Sequence, residues 1–342
     1  MRFPRPTIAL AAITATLVLV GCSPNAEAPQ PDERSLVVYS GRDEELVGPL
    51  LDAFEAESGI TIKVRYANSI EMAAQLLEEG DRTPAQVFLS QEAGALGALS
   101  EAGLLAELPA DITDAVDPQY TSADGTWVGL TGRARVIAYD GEELTESDVP
   151  TSVFDLTDAR WKGQVGIAPT NASFQSFVTA LRVLEGEEAT EAWLRGLVAN
   201  DAQIFPRNGA ILEAVNTGAI DVGLINHYYW FQQAAEVGVA NMRAQLQYGE
   251  PGTASALVNV TGAGVLAPSA DNAEALEFVR YLLSTEGQDY FVAQTTEYSV
   301  VPDGPTPADA PALDDIRGPE LDFADLADLD GTIALLQKVG LL

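Results

Sequence analysis

Two adjacent tyrosines, Tyr228 and Tyr229, stand in the segment Ile225-Asn226-His227-Tyr228-Tyr229-Trp230, where an apolar run ends and a helical pattern begins. Two phenols side by side can offer two oxygens to one ligand, and oxygen donors suit hard cations. In an open α/β sheet the ligand crevice lies beyond the carboxyl ends of the strands, and a helix start there offers free N–H groups to an anion. Taken alone, tyrosines at such a junction read as core aromatics, so their surroundings must decide. A free phenol titrates near pH ~10, so only a strongly Lewis-acidic ion would deprotonate two of them near neutrality. A divalent ion meets that condition poorly.

The rest of the chain narrows the chemistry. His227 is the only histidine and Cys22 the only cysteine, so an imidazole- or thiolate-rich metal site cannot be built. No Gly-x-Ser-x-Gly elbow and no Gly-rich phosphate loop occurs, which argues against a secreted enzyme. Fifty-one acidic residues face 18 basic ones, for a net charge of −33. That leaves no basic stripe for nucleic acid and implies a solvated, self-repelling surface. Tyr39 and Tyr66 read as packing residues, and Tyr139 as structural within a strand. His227 reads as a support for the tyrosines or as an exposed side chain, not as a ligand.

The amino-terminal segment speaks to location. Arg2 and Arg5 precede an apolar run from Ile8 to Val20, too short to span a bilayer comfortably and suited to an export signal. The run ends in Leu19-Val20-Gly21-Cys22, which resembles the lipobox of bacterial lipoproteins. Residues 1–21 are therefore expected to be a leader, Cys22 a lipidation site, and residues 22–34, polar and Pro-rich, a flexible tether.

From Ser35 onward short β-branched runs alternate with longer amphipathic ones. Leu36–Tyr39, Ile60–Val64, Val87–Leu89, Trp127–Tyr139, Gln164–Ala168 and Asp221–Ile225 read as strands, and Leu257–Val260 and Gly264–Ala267 as two more. Helices are expected between them, with Ser69 as the cap of the second, and a terminal helix over Thr332–Leu342. Strand and helix in alternation imply an α/β protein with mainly parallel sheet.

Several motifs fall in an order that resembles the bacterial ferric-ion-binding proteins. They are Val38-Tyr39-Ser40-Gly41-Arg42-Asp43, Pro84 to Glu92, Gly132-Arg133-Ala134-Arg135-Val136, Pro169 to Phe174, Arg207-Asn208-Gly209-Ala210 and Asn226 to Trp230. The resemblance runs from about Leu36 to Val301. It implies a type II periplasmic-binding-protein fold: two α/β lobes joined by crossover strands, with the ligand cleft between them and closure by hinge motion. Lobe one is expected at 35–132 plus 259–342, and lobe two at 133–258.

By the same resemblance Tyr228 and Tyr229 match phenolate ligands to iron. Asn171, Ala172, Ser173, Asn208 and Asn226 fall where a synergistic anion such as carbonate or phosphate is held. Two positions depart from the best-known pattern: Asp43 stands where some members have a His ligand, and Gln91-Glu92 where they have Glu followed by Gln. If Asp43, Gln91 and Glu92 do not complete the metal shell, an anion clamped by Arg42 and Arg133 would, since guanidinium matches an oxyanion bidentately. The implied protein is a monomeric, lipid-anchored solute-binding protein on the outer face of the cytoplasmic membrane. It would deliver ferric iron to the permease of an ABC importer. The alternative is the same fold with another small ligand: an oxyanion, thiamine or a polyamine.

Overall fold

The computed structural model describes residues 34–342. The expected leader, Cys22 and all of the tether but Arg34 lie outside the described residues. Arg34 itself is ion-paired to Glu274 and Glu277.

Ten strands form one continuous ladder. In chain order they are β1 (Ser35–Ser40), β2 (Thr61–Tyr66), β3 (Val87–Ser90), β4 (Trp127–Asp140), β5 (Val165–Ile167), β6 (Gln203–Ile204), β7 (Val222–Asn226), β8 (Ala244–Tyr248), β9 (Val258–Val265) and β10 (Tyr298–Ser299). The spatial order is β2-β1-β3-β9-β4-β7-β5-β6, with β8 and β10 also paired to β4. The central strand β4 is 14 residues long and buried throughout. Up to Ala134 it pairs with β9, and from Arg135 it pairs with β7 and β8. β4 and β9 are thus the crossover strands of a two-lobed α/β fold, as the resemblance implies.

Parallel pairing is confined to β1–β2, β1–β3, β5–β6 and β5–β7. Every pair involving β4 or β9 is antiparallel, so the expectation of mainly parallel sheet needs correcting. Alternation of strand and helix describes the inside of each lobe; it says nothing about strands that pass between lobes. β9 also corrects the expectation of two short strands over 257–267. Gly262 and Gly264 interrupt the β-branched run, yet the strand is continuous. A Cβ on Gly262 would lie 2.8 Å from the carbonyl oxygen of Val128 and 2.7 Å from Leu96, so close packing accounts for the glycine there.

The helices are α1 (Glu44–Ser58), α2 (Ser69–Glu79), α3 (Ala93–Glu101), α4 (Ala110–Thr113), α5 (Ala172–Glu185), α6 (Glu187–Ala199), α7 (Asn208–Asn216), α8 (Tyr228–Val237), α9 (Ala273–Leu283), α10 (Thr285–Tyr290) and α11 (Leu329–Val339). The longer ones bury an apolar stripe: Val47, Leu50, Leu51 and Phe54 on α1, and Phe278, Val279, Leu282 and Leu283 on α9. Helix α2 is capped by Asn68, whose side chain accepts from the Glu71 N–H at 2.8 Å, and not by Ser69. Ser69 is the first helical residue, and its hydroxyl serves the loops at the head of the sheet. No helix among the described residues is long and apolar enough to cross a membrane.

The tail differs from its expected place in lobe one. Helix α11 rests on α5 and α6, both within 133–258. Thr332 and Thr179 share a hydrogen bond at 2.7 Å, Arg182 donates to the Asp328 carboxylate at 2.8 Å, and Lys338 reaches Glu191 at 2.7 Å. The preceding turn, residues 323–327, packs on α3. The tail therefore touches elements from both expected ranges, which an amphipathic pattern cannot reveal because it names a buried face and not its partner.

Candidate functional site

Tyr228 and Tyr229 open α8, immediately beyond the carboxyl end of β7. Their rings stack with centroids 4.4 Å apart and planes 27° from parallel. Tyr228 is buried and Tyr229 half-buried. Neither phenol oxygen has a hydrogen-bond partner among the described residues, although both rings are packed. Burial pushes the Tyr228 phenol well above its ordinary range, and the neighbouring Tyr229 adds to the effect. Arg133 and Arg42 pull the other way. The apo-protein thus keeps this phenol protonated, and a cation strong enough to take the proton's place is needed to ionise it.

His227 supports this corner from within. It is fully buried, so the expectation that it might lie exposed is corrected. Its Nδ1 accepts from the Ala134 N–H at 3.2 Å, and Nε2 lies 3.0 Å from the Thr296 carbonyl oxygen, which assigns the proton to Nε2. Burial lowers its pKa to about 4. Both ring nitrogens are engaged, so the side chain is a strut between β4 and the 295–297 turn.

Strand β4 supplies two arginines on one face, Arg133 and Arg135, two residues apart. Arg133 is 2 % exposed; one terminal nitrogen donates to the Gln91 carbonyl, while Nε and Nη1 have no partner. An unpaired guanidinium edge in the interior invites an anion. Arg135 donates to the Ser173 carbonyl at 2.5 Å and to Asn208 Oδ1 at 3.4 Å, and lies over the Phe177 ring at 5.2 Å. Burial, and then the charge of Arg133, lower its pKa to about 10. A cavity of about 10 Å³, the room of roughly one water, lies among Arg133, Arg135, Ser173, Asn226 and Asn259.

The residues expected to hold an anion fall in two groups. Asn226 lines that small cavity together with Arg133. Ser173 lines it too, but bonds chiefly to Asn171 and Asn208, which lie outside it. Asn171 caps α5, accepting from the Ser173 N–H at 3.0 Å and from its hydroxyl at 2.6 Å. Asn208 donates to Asn171 Oδ1 at 3.2 Å and to Ser173 Oγ at 3.1 Å. The Ser173 hydroxyl and the Asn208 amide are thus engaged within the cluster, and the Asn208 oxygen and Ser173 carbonyl fix Arg135. Ala172 lies half-buried in the first turn of the same helix.

The expected metal ligands of lobe one are also dispersed. Asp43 is exposed at the start of α1, and its side chain makes no cap bond. Gln91 is half-buried and presents its backbone carbonyl to Arg133. Glu92 is buried before α3; burial pushes its carboxyl up to about 7 against the pull of Arg133 and of the Ser176 hydroxyl. No group of three His, Cys, Asp or Glu side chains gathers at metal-holding spacing among the described residues. The loops themselves are tied together: Ser69 Oγ accepts from the Gln91 N–H at 2.8 Å and lies 3.4 Å from the Gly41 carbonyl. A cavity of about 640 Å³ is lined by Glu92, Ser176 and the tail, and by neither tyrosine.

Arg42 holds no free fork for an anion. Its terminal nitrogens reach Glu297 Oε1 at 2.7 Å and Thr261 Oγ1 at 3.1 Å, and both ionic side chains are essentially fully buried. Two site residues escaped the sequence reading. Arg135 was detectable, because two arginines spaced by two in an otherwise apolar strand must share a face. Glu297 carried no such signal, since its partners Arg42 and Thr131 lie far away in the chain.

Comparison with known proteins bears on the same site. Residues 82–326 match the family model of the bacterial extracellular solute-binding proteins. The chain is 35% identical over 316 residues to the major ferric iron-binding protein of Neisseria meningitidis serogroup B, covering 92% of this chain and 95% of that one. The crystal structure of iron-bound HitA from Pseudomonas aeruginosa superposes with a TM-score of 0.84 at 35% identity, over 90% of this chain and 99% of that one. An IdiA (FutA) protein of Trichodesmium, in complex with iron and citrate, superposes with a TM-score of 0.76 at 25% identity, over 90% and 100%. A shared fold, shared length and an ordered set of motifs coincide, and the chain belongs to the bacterial extracellular solute-binding protein family, among its ferric-ion-binding periplasmic members.

Proposed function

We propose that this protein captures ferric iron outside the cytoplasm through the phenolates of Tyr228 and Tyr229 and hands it to the permease of an ABC importer. The metal is cargo and no bond of a substrate is broken. The observation that carries this reading is the stacked tyrosine pair with free phenol oxygens, within the field of Arg133, whose guanidinium keeps two unpaired nitrogens. The relatives named for ferric iron support it. With few side-chain ligands gathered nearby, a small anion held by Arg133, Arg135 and Asn226 would complete the shell. Carbonate, the smaller anion, would require less widening of this one-water cavity than phosphate. Asp43, Gln91 and Glu92 could join only if their loops shift on closure.

Closure would be a hinge at β4 and β9, with lobe one as 35–132 plus 259 to about 328, and lobe two as 133–258 plus 329–342. A second reading, an oxyanion binder without iron, draws on the same unpaired Arg133. Titration with ferric nitrilotriacetate separates the two. The parent should develop a visible phenolate-to-iron band, and Tyr228→Phe and Tyr229→Phe should each abolish it. Neither phenol oxygen is hydrogen-bonded, so both variants should unfold within about 1 kcal/mol of the parent. A colourless parent that still binds carbonate or phosphate would favour the second reading.

Attachment follows the Cys22 lipobox. Cys22→Ser should release an iron-competent protein into the soluble fraction, because one or two acyl chains supply the membrane affinity. Retention in membranes after a high-salt wash would remove the anchor from this reading.

A further inference from the structure

The Glu297 carboxylate sits where the lobes join. Its Oε1 pairs with Arg42 at 2.7 Å, and its Oε2 accepts from Thr131 on β4. Arg42 in turn reaches Thr261 on β9, the residue directly opposite Thr131 in the ladder. The ladder shifts register between Gly129 and Thr131, so the carboxylate lies at the irregularity of the crossover pair. The adjoining turn meets the tyrosines. Thr296, with φ of +55°, contacts the Tyr228 carbonyl through its hydroxyl at 3.3 Å and the His227 ring through its own carbonyl. Glu297 is wholly buried, and a buried carboxylate with one ionic partner is a costly way to join strands that already share a ladder.

Charge accounts for its presence. Loading iron onto two phenols replaces two protons with three positive charges, so the metal–phenolate unit gains one positive charge, while the anion's charge is met by Arg133 and Arg135. An uncompensated Arg42 beside it would oppose that gain. The phenol of Tyr228 lies in the field of both groups, raised by Glu297 and lowered by Arg42.

We infer that Glu297 is a positioning residue for iron capture: it neutralises Arg42 behind the tyrosine pair, so that the only cations left to act on the loaded site are Arg133 and Arg135, which face the anion. This rests on Tyr228 and Tyr229 being the iron ligands. Glu297 touches neither metal nor anion, and it acts through Arg42 and the 295–297 turn.

The test uses the parent, Glu297→Gln and the double variant Arg42→Gln/Glu297→Gln, each titrated with ferric nitrilotriacetate and followed by the phenolate-to-iron band. Glu297→Gln leaves a bare buried guanidinium. It should bind iron about tenfold more weakly, the effect of one unit charge across roughly 10 Å at an effective dielectric of 20. Its band should move to shorter wavelength, because the cation stabilises the phenolate donors. The double variant is neutral again and should return both affinity and band close to the parent. A purely structural role predicts the reverse, with the double variant no better than the single and the band unmoved where iron still binds. If Glu297→Gln does not fold, the double variant decides alone: a parent-like band supports the inference, and a shifted or absent one overturns it. A parent without the band overturns the ligand assignment and this inference together; a coloured parent without charge rescue overturns only this one.

Discussion

At the scale of residues, this site holds buried charges whose partners are incomplete. Arg133 keeps two unpaired nitrogens, and Glu92, facing Ser176, is pushed up to about 7 by burial. That shift has a defined sign. The folded state holds the Glu92 proton more tightly than the unfolded chain does, so its contribution is full below the ordinary carboxyl range, near pH 4.5, and is lost as pH rises through about 7. In the iron-free protein, Glu92→Gln should flatten the pH dependence of unfolding between those limits. It should raise stability at pH 8 by roughly 1–3 kcal/mol. Denaturant unfolding of both proteins at pH 5 and pH 8 measures this; equal slopes would mean that Glu92 is solvated and unstrained. The tyrosine pair was legible from sequence because two adjacent phenols at a strand-to-helix junction are a local fact. The Arg42–Glu297 pair was not, because 255 positions separate its members and no local pattern joins them.

At the scale of elements, strands and helices were legible wherever periodicity was strong, as in β1, α1, β4 and α9. Errors occurred where a neighbouring group, and not the local pattern, chose the outcome. Ser69 had a cap-forming side chain at a helix start, but Asn68 lies one residue earlier and took the role. The two are separable by mutation. Asn68→Ala removes the acceptor of the Glu71 N–H and should cost about 1 kcal/mol, with iron affinity unchanged. Ser69→Ala should loosen the loops at Gly41 and Gln91 while leaving α2 capped, so hydrogen exchange should quicken at the Gln91 amide and not in the first turn of α2. Exchange quickening in α2 for Ser69→Ala, and not for Asn68→Ala, would reverse the assignment. The register of β9 illustrates the same limit: glycine in a sequence suggests a break, whereas here the backbone of Val128 and the side chain of Leu96 leave no room for more than hydrogen.

At the scale of the whole molecule, the two-lobed order followed from the ordered motifs, but the course of the tail did not. Leu335, Leu336 and Val339 of α11 are buried on α5 and α6. Leu336→Ala should lower stability by about 2–5 kcal/mol, as a fully buried leucine does. Lys338→Ala, which breaks only an exposed pair with Glu191, should cost less than about 1 kcal/mol. Thermal unfolding distinguishes them, and equal small losses would mean that α11 is not held in place. The seat of α11 also bears on how the molecule comes to exist. A chain that crosses a membrane amino-terminus first presents α5 and α6 long before residues 329–339 have emerged. Until then their apolar face stays uncovered, and the lobe that carries the tyrosines lacks its last wall. In a chain delivered in that order, the apolar face of α5 and α6 gains its cover only when residues 329–339 arrive.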